Sequence, residues 1–345
     1  MLIQQILLII FQKFHNERTV SAAYHMLRGK RSGQTIQDVG IFKLYPFFGL
    51  LPKLSRKKFD AEVDLLLAYS YITMQENGYY QMTELGSEKA SESFPYTFDG
   101  WHYRGNEHLF FARLALIVQS LSHQSAAVRA FIPIEKNEST QKWVREFLIA
   151  NHYQTKTLQR TLLAEIETSL TATNVDEALK ETVIFRLAGY KQAGLTWQQL
   201  AFGQKLQELD VQLRYISSLH NWLNILYEYK EHYPILNQLT QHVRIEIPLT
   251  GSAFQTAQLF KQGYDIEQIS QLRRLKTSTI EDHIVELAMN DDQFLVQKFV
   301  SEDDQALVHT AIENYNTKKL KVLHEVVPHL SFFQLRLVLA KGVEA

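Results

Sequence analysis

Side chains able to do chemistry gather in three places along the chain. Toward the C-terminus, Lys276, Thr277, Ser278, Thr279, Asp282 and His283 follow directly on Arg273 and Arg274. Hydroxyl and basic groups so placed can hydrogen-bond phosphate oxygens and base edges. Toward the N-terminus, Arg28, Lys30 and Arg31 lie in a glycine-flanked segment, and Arg56, Lys57 and Lys58 open a helix before Phe59. These six are either a grip on backbone phosphates or a solvated face. In the middle, Trp101, His102, Tyr103 and Arg104 sit in a loop. Their rings could stack on an unpaired base, but an anchor onto a partner or neighbouring domain is the stronger reading, because Trp, Tyr and Arg dominate binding hot spots.

Catalytic constellations fail one by one. Gly29-Lys30-Arg31-Ser32-Gly33 lacks the upstream glycine and the hydroxyl after lysine that a phosphate loop needs, so it reads as a turn. His25-Met-Leu-Arg28 resembles a tyrosine-recombinase fragment without that enzyme's surrounding arginine and tyrosine. None of the thirteen histidines stands four residues from another, the spacing that chelates a metal on one helical face. Glu302, Asp303 and Asp304 fit a helix N-terminus better than a metal. There is no Gly-x-Ser-x-Gly elbow. The expectation is a protein without catalytic residues, metal or cofactor.

The elements that must position these residues are helices. With 345 residues the chain has room for two or three domains. Its 46% apolar content supports packed cores, and the absence of cysteine removes disulfides and thiolate chemistry and fits a reducing interior. Apolar residues recur at three- and four-residue spacing with only seven prolines, which predicts a mainly all-α fold. The opening Leu2–Phe11 run lacks a preceding positive residue and a cleavage site, and falls short of the ~20 residues of a bilayer span. It reads as a first core helix, and the protein as soluble and cytoplasmic, or associated with the nucleoid.

Helical patterns at about 2–14, 19–28, 34–45 and 56–70 precede a hairpin, Tyr71–Met74 and Tyr79–Thr83, joined across Asn77-Gly78. Helices followed by one small hairpin is the order of a winged helix, so 1–95 reads as a winged-helix-like domain. The turn-rich segment Ser91–Gly105 marks a boundary. A central helical domain follows over 96–249, where Thr196 and Gln199 make a capping box. The extended stretch Ile245–Gly251 around Pro248 introduces a C-terminal domain, 250–345.

That last domain carries the sharpest pattern. Gln255–Lys261 forms a short helix ended by Gly263. Asp265 caps a second helix with Gln268 as box partner. After a turn at Arg274-Leu275-Lys276, a third helix carries Ile280, Ile284 and Leu287. This is helix-turn-helix geometry, in which the second helix of the pair can enter the major groove. Charge speaks against it. Residues 1–95 hold 11 Lys+Arg against 9 Asp+Glu, 96–249 hold 15 of each, and 250–345 hold 10 against 13. The module sits in the most acidic third, with Glu281, Asp282 and Glu286 on its third helix.

The string Thr256–Leu287 resembles the helix-turn-helix at the C-terminus of some RecQ-type helicases. It also resembles the YpbB-like proteins of Gram-positive bacteria, usually encoded beside such a helicase. The likeness extends to Ser301–Asp304, Lys318–Leu323 leading to Pro328, and Leu330–Ala340. At the N-terminus it includes Arg18 and Leu27–Asp38. Two positions depart from the pattern. Arg274 stands where such turns often carry glycine, and Lys276 replaces a capping serine, so Thr277 or Ser278 must cap instead. The resemblance implies an accessory protein of a RecQ-type DNA helicase, acting through DNA binding, partner docking or both in DNA repair or recombination. The alternative is a transcriptional regulator that reads an operator through residues 276–283.

Overall fold

The computed structural model describes residues 1–246 and 249–342. Of the extended boundary expected at Ile245–Gly251, Ile247 and Pro248 lie outside the described residues. The architecture is mainly all-α, with one two-stranded hairpin. In chain order the elements are α1 (Leu2–Lys13), α2 (Val20–Leu27), α3 (Gly33–Ile41), α4 (Arg56–Ala68), β1 (Ile72–Met74), β2 (Tyr80–Met82) and α5 (Glu84–Ala90). There follow α6 (Gly100–Tyr103), α7 (Glu107–Ser125), α8 (Glu138–Ala150), α9 (Lys156–Ala172), α10 (Glu177–Ile184), α11 (Trp197–Gln204), α12 (Glu208–Glu228) and α13 (Pro234–Leu239). The chain closes with α14 (Gly251–Lys261), α15 (Ile266–Arg273), α16 (Thr277–Asn290), α17 (Glu302–Tyr315), α18 (Leu320–Val326) and α19 (Phe332–Lys341).

Where three successive domains were expected, the chain divides into two compact units. A middle unit holds Met1–Ile3 and Ser93–Ile245, and a terminal unit holds Gln4–Glu92 together with the chain from Glu246 onward. What local sequence does not show is that the first and last segments share one core.

In the middle unit, α12 is the central helix. Trp222 is fully buried, donates its indole N–H to Ser169 Oγ at 2.7 Å and meets the edge of Phe110. Glu165 accepts from the backbone N–H groups of Ile235 and Leu236, satisfying the exposed amides at the start of α13. The capping box of Thr196 and Gln199 forms as expected.

In the terminal unit, α1 buries Ile6, Leu7, Ile10 and Phe11 completely, and no helix among the described residues is long and apolar enough to cross a membrane. The hairpin pairs Ile72 with Met82 and Met74 with Tyr80. Asn77 (φ 58°) and Gly78 (φ 78°) are both left-handed, the geometry that makes Asn-Gly a hairpin turn. Tyr80 lays its ring on Phe11 and donates its hydroxyl to the Phe11 carbonyl at 2.8 Å, which fixes the hairpin to α1. The two halves of the unit are stitched by polar bonds between residues far apart in sequence. Glu17 accepts from Lys318 N at 2.8 Å and from Thr317 Oγ1 at 2.5 Å; Lys318 Nζ donates to the Ile41 carbonyl; Gln37 donates to Asp282 at 3.0 Å.

Candidate nucleic-acid interface

Helix-turn-helix geometry is present over α14, α15 and α16. Gly263 (φ +94°) ends the first helix, and the Asp265–Gln268 box starts the second, with bonds of 2.8 and 3.0 Å. Ser270 donates its hydroxyl to the Leu275 carbonyl at 2.6 Å and accepts with its own carbonyl from Leu275 N, which locks the turn. Ile269, Ile280 and Ile284 are fully buried between the helices. The capping residue of α16 is Lys276 itself, whose side chain makes no cap bond. This corrects the expectation that Thr277 or Ser278 would take that role, since both already lie within the helix.

Arg274 is left-handed, at φ 53° and ψ 42°. That conformation costs an L-residue roughly 1–2 kcal/mol, and glycine would relieve it at an unfolded-state entropy cost of about 0.5–1 kcal/mol. Arg274→Gly is therefore expected to raise stability by about 0.5 kcal/mol, read from urea unfolding. It should weaken DNA binding at the same time, because the exposed guanidinium is lost. A fall in stability would show that Arg274 holds the turn by contacts of its own.

The sequence-derived site residues separate into two groups. Arg274, Lys276, Thr277 and Ser278 are exposed, and Thr279 is half-buried. His283 is buried and the half-exposed Arg273 is bonded to α14, whereas both were expected to be free for DNA. The Arg273 guanidinium donates to the Ser252 carbonyl at 2.7 Å, Ser252 Oγ at 3.1 Å, Gln255 Oε1 at 3.0 Å and Thr256 Oγ1 at 2.5 Å. His283 is buried, its Nδ1 2.9 Å from Thr256 Oγ1. Burial first, and then the Arg273 charge, hold its pKa below the usual imidazole value. Both residues fasten α14 to the other two helices.

The acidic residues of α16 are likewise committed inside the unit. Asp282 takes a bond from Gln37 and an ion pair from Arg336, and Glu281 lies 3.7 Å from the same guanidinium. Glu286 is buried and accepts from the backbone N–H and hydroxyl of Thr250 at the start of α14. The carboxylates that made the module look hostile to phosphate are thus spent on holding α16 against α3, α14 and α19.

The packing of α3 on α16 brings the N-terminal cations to the same unit. Gly33 lies against the Asp282 carboxylate, where an added Cβ would stand 3.2 Å from Oδ2. Ser278 is one helical turn from Asp282, and Arg31 is two residues from Gly33, so the free turn of α16 and the basic segment belong to one unit. Gly29 (φ +69°) packs against the Gly49 backbone, which makes the segment the expected turn. Arg28 and Arg56 both lie over the Tyr24 ring, at 5.5 and 5.4 Å. Arg28 also donates to the Pro52 carbonyl, and Arg56 to Ser21 and Asp60. His25 beside them has a pKa lowered by partial burial and then by Lys30, Arg56 and Arg28, so three cations converge there. Lys30, Arg31, Lys57 and Lys58 are exposed, and none of them is among the ion pairs of the described residues. Sequence reading missed the exposed Lys53, next to Pro52, because it stands alone and not in a run.

The central aromatic set is not a surface. Trp101 and Tyr103 are buried at 4% and 1% exposure. Tyr103 stacks on His220 and donates its hydroxyl to Asn224 at 2.7 Å. Arg104 lies 4.3 Å over the Trp101 ring and donates to its carbonyl. Trp101 and Tyr103 therefore belong to the core of the middle unit, which corrects their reading as partner-binding anchors, while Arg104 is half-buried against Trp101. His102 pairs with Asp99, which also holds Arg244. No group of His, Asp and Glu among the described residues could hold a metal ion.

Residues 252–339 match the family described as a helix-turn-helix domain, which places α14 to α19 in that class of protein. Over 339 residues the chain is 33% identical to protein YpbB of Bacillus subtilis (strain 168), covering 96% of this chain and 95% of that one. The chain belongs to the YpbB family, as the resemblance at its two ends implied. No solved structure matches it.

Proposed function

We propose that the protein is a non-enzymatic DNA-binding accessory factor that works with a RecQ-type helicase in DNA repair or recombination. The observation that carries DNA binding is the union of the helix-turn-helix module and the N-terminal cations in one unit, with Glu286 buried and Asp282 and Glu281 paired with Arg336. Arg336 offsets part of the acidic charge of α16, and the exposed first turn of that helix shares its unit with Lys30 and Arg31. The helicase partnership is supported by the likeness of Thr256–Leu287 to the C-terminal module of some RecQ-type helicases.

The test is co-purification of the full chain with a RecQ-type helicase from the same cell, with and without nuclease, followed by helicase assays. A complex that survives nuclease, and unwinding that rises when the protein is added, are the expected results. A nuclease-sensitive association with unchanged unwinding would leave a DNA-binding protein and remove the partnership. The regulator alternative requires one promoter fragment to be held at about 150 mM salt with much weaker binding to random duplex.

A further inference from the structure

We infer that the terminal unit holds duplex DNA by its phosphate backbone and has no preference for base sequence. This rests on the reading of the protein as DNA-binding and concerns what that surface can recognise. Packing limits the third helix of the module to its first turn. Ile280, His283, Ile284 and Leu287 are buried, and Asp282 and Glu281 are held by Arg336. Four side chains stay free, Arg274, Lys276, Thr277 and Ser278.

Only Arg274 and Lys276 could select a base, by pairing with guanine, and two such contacts are too few to define a site. A hydroxyl both donates and accepts, so Thr277 and Ser278 suit any base edge. Arg274 and Lys276 take a phosphate as readily as a guanine. The pairings that read adenine and cytosine need an Asn or Gln amide or a free carboxylate, and the turn has neither. Arg273, the remaining guanidinium nearby, is locked onto Ser252, Gln255 and Thr256.

Affinity must then come from charge, and the charge is on the N-terminal segment. Lys30, Arg31, Lys53, Lys57 and Lys58 are exposed cations on the unit that holds the module. Point charges on flexible stems follow the backbone and carry no sequence information. The arrangement suits a protein that must hold whatever duplex it is brought to.

The test uses the full chain and fluorescence anisotropy on several labelled 20-base-pair duplexes of unrelated sequence. Dissociation constants are expected to agree within about threefold, with log affinity falling against log salt at a slope of about −4, as four or five phosphate contacts require. Thr277→Ala with Ser278→Ala should shift all duplexes together by no more than about threefold. The inference is overturned if one duplex binds about tenfold or more tighter than the rest, whether or not the double variant removes that advantage. Failure to bind any duplex even at about 50 mM salt would overturn the DNA-binding reading itself, a separate outcome.

Discussion

Reversing Lys30, Arg31, Lys57 and Lys58 to glutamate is expected to weaken duplex binding by roughly 100- to 1,000-fold at about 150 mM salt, with the fold intact. Each phosphate contact contributes about 0.9 to the salt slope, so losing four removes most of a slope near −4. All six cations are exposed, but these four were chosen because they take no part in the ring and hydrogen-bond contacts that hold Arg28 and Arg56. Arg28 and Arg56 brace Tyr24, Pro52, Ser21 and Asp60, so their loss would confuse binding with stability. Exposed substitutions away from such contacts stay within about 0.5 kcal/mol. The control places the same charge change on the middle unit, at the exposed Lys136, Lys156, Lys205 and Lys230. If the patch grips DNA, the control loses much less affinity and keeps its slope. Equal losses from both sets would mean that only net charge matters, and the patch would drop out.

Local rules made much of this legible in the residues. Asn77-Gly78 announced the hairpin, Asp265 with Gln268 and Thr196 with Gln199 announced helix starts, and three-and-four spacing announced the helices they begin. Each of these is decided within a few residues, where backbone geometry and side-chain reach are fixed. The errors arose where a partner lies far along the chain. Arg273 looks like a free cation because no carboxylate is near it in sequence; its acceptors are carbonyl and hydroxyl oxygens of α14. Trp101 and Tyr103 sit in a loop of turn residues, which reads as surface, yet Tyr103 finds Asn224 across 121 residues. A charge count is blind to such pairing: it gives the net charge of residues 250–345 but does not show that Asp282 and Glu281 both face Arg336. The shared core of the two chain ends rests on pairs such as Glu17 with Lys318, 301 residues apart, for which no local pattern exists.

Two glycine-to-alanine changes should move stability in opposite directions. At Gly86 an added Cβ would stand 2.0 Å from the Tyr71 carbonyl oxygen. That oxygen cannot retreat, because it accepts from both the backbone N–H of Thr83 at 3.1 Å and the Thr83 hydroxyl at 3.0 Å. The Thr83 hydroxyl in turn accepts from Gly86 N, so the start of α5 and the hairpin are tied at one point. Alanine must part them, at about 3 kcal/mol, or a fall in Tm of roughly 6–12 °C for a unit of this size. At Gly203, inside α11, a Cβ meets nothing within 4 Å. There alanine removes glycine's unfolded-state freedom and should stabilise by about 0.5–1 kcal/mol. All four tryptophans, at 101, 143, 197 and 222, belong to the middle unit, so indole fluorescence follows that unit while far-UV circular dichroism follows both. Gly203→Ala is therefore expected to raise the fluorescence transition, and Gly86→Ala to lower a dichroism transition and release the Tyr80 contact with Phe11. An unchanged transition in Gly86→Ala would mean that α5 does not approach the hairpin at the distance that makes glycine necessary.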